Sequence, residues 1–246
     1  MAQFHTQFYG ASNAELAIVG DFDPVAVRAL VTELFDTWKS PGVYARVPNP
    51  LIPNKPAELK FEAPDKSNAF LMAREALPIN DSSADYPALL LANYILGDSA
   101  SSRLWERLRR KDGLSYGVGS FFRVNSFEPN SSLGIYAIFA PQNLEKIRKG
   151  FSEELQLALK NGFTETEVKH AKEGLLQERA LSRSEDRSVA SELVHQAYLG
   201  RTWANDGAVD AAIEKLTPAD VNAVLRKYLK PEQFAYSFAG DFGKGK

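Results

Sequence analysis

The residues of this chain best suited to chemistry sit in one stretch, Leu108-Arg109-Arg110-Lys111-Asp112-Gly113-Leu114-Ser115-Tyr116. A guanidinium presents donors in a fixed fork and keeps its charge at any working pH. A phenol can give one hydrogen bond to an oxygen that is gaining charge. The composition of the stretch also has a plainer reading. Arg103, Arg107, Arg109, Arg110 and Lys111 form a basic run at the C-terminal end of a helix, where cations complement the macrodipole. On that reading the run is a solvated face and Tyr116 an ordinary strand residue.

Other chemistries find little support. The three histidines are His5, His170 and His195. A hydrolytic zinc site takes three protein ligands and an open position, and the inverted zinc motif needs His-x-x-Glu-His on one helix. The nearest approach, His170-Ala171-Lys172-Glu173-Gly174, lacks the second histidine. His170 and Glu173 therefore read as a solvated helix face, His195 as a packed or half-exposed residue, and His5 as part of a frayed segment. No metal is expected in this chain. There is no Gly-x-Ser-x-Gly elbow, and helix capping accounts for Ser99, Ser101 and Ser102. Absence of cysteine excludes thiol catalysis and disulfides.

The chain has 246 residues, 44% of them hydrophobic, which is enough for a full core. Its 29 basic and 31 acidic residues nearly cancel, which disfavours nucleic-acid binding. No apolar run reaches membrane-spanning length, and the N-terminus lacks the basic and apolar regions of a signal peptide.

Several elements must position the Arg109–Tyr116 stretch. A buried strand is expected at Leu16–Val19, running into Gly20-Asp21-Phe22. Asp23 and Pro24 then start a helix on which Val27, Leu30, Val31 and Leu34 recur with helical spacing. Residues 1–13 read as a linker from an upstream domain. The proline-rich 39–58 reads as an extended connector. Strands follow near Leu59–Glu62 and Ala69–Ala73. One helix is expected from Asp85 to Gly97 and another from about Ser99, carrying Leu104 and Leu108 and ending at Gly113. Strands are expected at 116–124 and 133–139. The last hundred residues are mainly helical, with a stripe of Leu144, Ile147, Phe151, Leu155 and Leu159. Helix starts are expected at Thr164 with Glu167 and at Thr217 with Asp220, together with a helix over 187–199 and a closing strand over 234–239. Ile18-Val19-Gly20-Asp21-Phe22 is echoed by Phe238-Ala239-Gly240-Asp241-Phe242. Such an echo would arise in a protein of repeated domains. The order of elements predicts a single α+β domain over 1–246, a two-layer sandwich with a largely antiparallel sheet packed by helices.

The motif Ser101-Ser102-Arg103-Leu104-Trp105-Glu106-Arg107-Leu108-Arg109, followed by Gly113-Leu114-Ser115-Tyr116, resembles the arginine–tyrosine element in the C-terminal half of the insulinase, pitrilysin and mitochondrial processing peptidase family (M16 zinc peptidases). Gly20-Asp21-Phe22-Asp23-Pro24 and the order of elements extend the likeness over nearly the whole chain. One departure is Gly97-Asp98-Ser99-Ala100, where many relatives carry several glycines.

The resemblance implies the half without zinc. Arg109 would anchor substrate backbone, and Tyr116 would bind substrate and assist near the transition state. Arg110 and Lys111 would stay solvated. Zinc would belong to a partner half carrying His-x-x-Glu-His, in the same polypeptide or a separate subunit. The substrate would be a peptide or unfolded protein, with no nucleic acid or membrane partner, in the periplasm or cytoplasm of a bacterium. The chain alone would not hydrolyse peptides. A non-catalytic scaffold subunit of the same family is the alternative.

Overall fold

A computed structural model describes residues 1–243. Its elements in chain order are α1 (Ala2–Phe8), α2 (Pro24–Phe35), β1 (Ala57–Glu62), β2 (Ala69–Leu77) and α3 (Tyr86–Asn93). Then come β3 (Ser115–Arg123), β4 (Ser131–Phe139), α4 (Leu144–Asn161), α5 (Glu165–Ser182), α6 (Asp186–Tyr198), α7 (Trp203–Lys215), α8 (Pro218–Tyr228) and β5 (Ala235–Gly240). Two stretches are wound as π-helix, Tyr94–Asp98 directly after α3 and Trp105–Lys111 ahead of β3.

The chain divides into two compact units. The larger comprises 49–177 and 209–246 and holds a five-stranded sheet in the order β1-β5-β2-β4-β3. Only the β1–β5 pair is parallel; the other neighbours run antiparallel. The α+β sandwich with a largely antiparallel sheet is thus the observed architecture. β2 alternates buried and less buried residues along its length, so one face of the sheet lies on the helices. Leu71, Ala73, Ile135, Ala137 and Phe139 from the sheet meet Leu89, Leu91, Leu104, Leu108, Phe151 and Leu155 from the helical layer in one core.

Local signals explain the helices of this unit. The expected stripe of α4 is buried at Ile147, Phe151 and Leu155 and partly buried at Leu144 and Leu159. Thr217 and Asp220 exchange the two bonds of a capping box at the start of α8, and Val221, Val224, Leu225 and Tyr228 are buried. Thr164 and Glu167 do the same for α5, with Glu167 N–H donating to Thr164 Oγ1 at 3.2 Å and Thr164 N–H to Glu167 Oε2 at 2.7 Å.

The smaller unit comprises 1–48 and 178–208. Here the structure corrects two expectations. His5 lies in a helix, α1, stacked on Tyr9, rather than in a frayed segment. Leu16–Val19 forms no strand: it takes no regular secondary structure and pairs with no sheet. The helix after it does form, since the Asp23 carboxylate accepts from Val25 N–H and Ala26 N–H, yet α2 buries none of its residues. A strand pattern becomes a strand only where an edge is available to bond it.

Candidate functional site

Arg109 lies in the π-helical turn. Asp112 N–H reaches back to the Arg107 carbonyl and Leu114 N–H to the Leu108 carbonyl, which closes the turn. Gly113, at φ 63°, takes the left-handed conformation that lets the chain leave the helix and enter β3. Leu104 and Leu108 are fully buried beneath, as their spacing predicts. Wider π-wound turns are rare and recur at functional sites.

The basic run is not uniformly solvated. Arg103 makes a forked pair with Glu167 at 2.7 and 2.9 Å and donates to the Gly162 carbonyl at 2.8 Å. Arg107 is held by Asp112 at 2.7 Å and Glu153 at 2.9 Å. Arg110, largely exposed, pairs with Glu106 one turn back at 2.5 Å. Arg109 forms no ion pair among the described residues. Its guanidinium lies over the Trp105 ring, 4.7 Å from the centroid, so its N–H donors stay available while its plane is fixed. Sequence reasoning took Trp105 only as an apolar helix position. The signal was present in the i, i+4 spacing of an aromatic and an arginine.

Tyr116 sits at an irregularity in β3. Ser115 pairs with Phe139 and Gly117 with Ile138, so Tyr116 is the extra residue of a β-bulge. The Ser115 hydroxyl braces the bulge, donating to the Gly117 carbonyl at 2.7 Å with the Ile138 carbonyl at 2.8 Å. The bulge turns Tyr116 out of the alternation of its strand and leaves it 64% exposed. The Tyr116 hydroxyl bonds to none of the described residues. No pattern in the sequence predicts the bulge or its Ser115 brace.

Burial pushes the Glu167 carboxyl up, but the bonds it accepts from Arg103 and Thr164 outweigh that and hold it at about 2. It is a fixed anion that ties the chain ahead of the motif to α5. The serines play a different part from the expected capping. The Ser99 and Ser101 hydroxyls face each other at 3.5 Å, and the Ser102 hydroxyl is buried without a hydrogen-bond partner.

A cavity of about 220 Å³ lies beside this network, lined by Tyr94, Ser99, Arg103, Glu167, His170 and Gly174. It holds the remnant of the zinc pattern, and its residues do not fit zinc. His170 is the one imidazole, Glu167 is held by Arg103, and a Cβ on Gly174 would lie 2.8 Å from the Tyr94 hydroxyl. A histidine at 174 would have to displace that ring. Among the described residues no cluster of three His, Asp or Glu side chains could hold a metal.

The profile of the peptidase M16 inactive domain matches residues 1–175. The chain belongs to this family. M16 membership agrees with the curated relatives. An uncharacterized zinc protease of Mycobacterium tuberculosis is 27% identical over 244 residues, covering 93% of this chain and 52% of the relative. One from Streptomyces coelicolor is 32% identical over 145 residues, covering 58% of this chain and 30% of the relative. The chain thus spans about half or less of the relatives it matches. Among solved structures, the M16 inactive domain from Pseudomonas fluorescens superposes with a TM-score of 0.78 at 24% identity, over 97% of this chain and 56% of that one. A protease from Helicobacter pylori gives 0.73 at 18% identity, over 90% and 53%. These likenesses show the M16 half-domain fold. Among the described residues no helix is long and apolar enough to cross a membrane.

Proposed function

We propose that this M16 domain is the substrate-binding half of a zinc peptidase, acting on peptides or unfolded segments beside a partner half that carries the metal. When bound in that partner, zinc would supply the activated water. This chain's part is to bind and orient. Arg109 donates to backbone carbonyls of the substrate. The Tyr116 hydroxyl donates to a carbonyl oxygen as negative charge builds on it.

One contrast carries the reading. Arg103, Arg107 and Arg110 are all engaged with carboxylates, whereas the Arg109 guanidinium is fixed by an aromatic face with its donors free. A tyrosine turned outward by a braced bulge adds a second unused donor. The periplasmic protease PqqL from Escherichia coli shares the fold, at a TM-score of 0.65, which supports a periplasmic setting as one of the two compartments expected.

The test is kinetic. The chain is combined with a zinc-binding half and assayed on a quenched peptide. Arg109→Ala and Tyr116→Phe should each lower kcat/KM by about ten- to a thousand-fold, the scale of losing one transition-state donor. Arg110→Ala, which removes an exposed paired cation, should leave it nearly unchanged. Full activity in both Arg109 and Tyr116 variants would reject these roles and favour a scaffold subunit.

A further inference from the structure

The end of α5, the length of α6 and the start of α7 enclose a cavity of about 520 Å³ that lies wholly within the smaller unit. Sites for small molecules span roughly 300–1,000 Å³, so this one is large enough for a ligand. Much of its wall is already committed. Arg179 and Arg183 share the Asp206 carboxylate, at 2.6 and 2.5 Å. Glu192 accepts from the side-chain amide of Gln196, which is buried.

Three lining side chains are not. Arg187, Ser191 and His195 recur at i, i+4 and i+8 on α6, so they form one stripe about 12 Å long. All three are exposed, and among the described residues their side chains make no ion pair or hydrogen bond. Arg187 stands in the first turn of α6, where the macrodipole disfavours a cation. Helix stability gives no reason for an arginine there; an anionic ligand does. Three lining arginines against Glu192 and Asp206 leave a single positive charge. That balance suits one carboxylate, which a guanidinium takes through two parallel bonds. The further charges of a polyphosphate would face Glu192 and Asp206. A lone carboxylate would leave most of the cavity unfilled. The rest of the stripe offers a hydroxyl and an imidazole to backbone amides, and Trp203 offers a face to an apolar side chain.

We propose that this cavity binds the C-terminal end of a peptide. Arg187 takes the terminal carboxylate, Ser191 and His195 bond the last amides, and Trp203 covers the final side chain. The proposal rests on the reading of the chain as a peptide-binding half and adds a point of attachment that selects a free chain end. Arg109 and Tyr116 receive internal carbonyls; Arg187 receives the terminus.

Two fluorescein-labelled tetra-alanine peptides, one with a free terminal carboxylate and one with a terminal amide, are titrated against the full chain by fluorescence anisotropy. The acid should bind tighter by about tenfold or more, the scale of one charge-assisted hydrogen bond. Arg187→Ala, at an exposed position, should keep the melting temperature, erase that preference and leave binding of the amide as it was. Arg187→Lys, which keeps the charge without the fork, should fall between. Equal affinity for acid and amide overturns the proposal, as does an acid preference that survives Arg187→Ala. An acid preference lost in Arg109→Ala would move the carboxylate to Arg109 and overturn it too. Inorganic phosphate that competes as well as unlabelled tetra-alanine would make the cavity a general oxyanion site and overturn the choice of ligand. The kinetic test of Arg109 and Tyr116 fails separately. No acid preference here, with activity lost in those variants, rejects the terminal site alone. A preference lost only in Arg187→Ala upholds the site even where those variants keep full activity.

Discussion

Helices α2 and α8 begin alike and end differently. Each opens with a side-chain cap and a proline at the first helical position, Asp23-Pro24 in one and Thr217-Pro218 in the other. Each carries apolar residues at i, i+3, i+4 and i+7. Yet α8 buries Val221, Val224, Leu225 and Tyr228, and α2 buries nothing. The segments beside them repeat the contrast: β5 lies inside a sheet, and 16–19 pairs with nothing. Caps and periodicity set the conformation of a segment, while burial depends on whether a complementary surface lies within the same fold. An amphipathic element that forms but stays bare points to a surface elsewhere.

The largest effect should separate the two helices in the isolated chain. Leu225→Ala removes a fully buried side chain and should cost about 2–5 kcal/mol of unfolding free energy in a denaturant titration. Leu30→Ala on the apolar face of α2 should change it by less than about 0.5 kcal/mol. Equal costs would show that α2 already has a covered face and would break the contrast.

A second effect is tied to burial in the larger unit. Burial pushes the Glu75 carboxyl up to about 7, although Lys230 N–H donates to it at 3.1 Å. The fold therefore favours the protonated form. Stability should be full below the ordinary value of 4.5, fall as pH rises towards about 7 and level off above it, by up to about 3 kcal/mol. Glu75→Gln should remove this slope in melting curves taken from pH 4 to pH 8; an unchanged slope would assign it to another group.

The smallest effect concerns the caps. Thr217→Ala should lower global stability by about 1 kcal/mol, because α8 is part of the cooperative core. Asp23→Ala should reduce helical signal in the far ultraviolet and leave the main unfolding transition in place, because α2 unfolds locally.

Much of the fold was legible because it is written in local patterns. The capping boxes at Thr164 and Thr217, the α4 stripe and the helix end at Gly113 all follow from short-range rules, and all are observed. The candidate site was legible in part. Arg109 and Tyr116 stood out by type and by family resemblance, and the missing second histidine was visible at Gly174. Nothing in the sequence distinguished Arg109 from Arg103, Arg107 and Arg110. Their carboxylate partners lie from four to 64 residues away and are chosen by packing.

The sequence by itself determined where helices start and stop, which faces are apolar and that no His-x-x-Glu-His motif is present, because these depend on neighbours a few residues apart. Only the tertiary structure decided which arginine keeps its donors, that a bulge turns Tyr116 outward, and that one of two echoed segments becomes a strand in a sheet while the other pairs with none. Those outcomes depend on pairings between distant segments, whose register and availability no local pattern encodes.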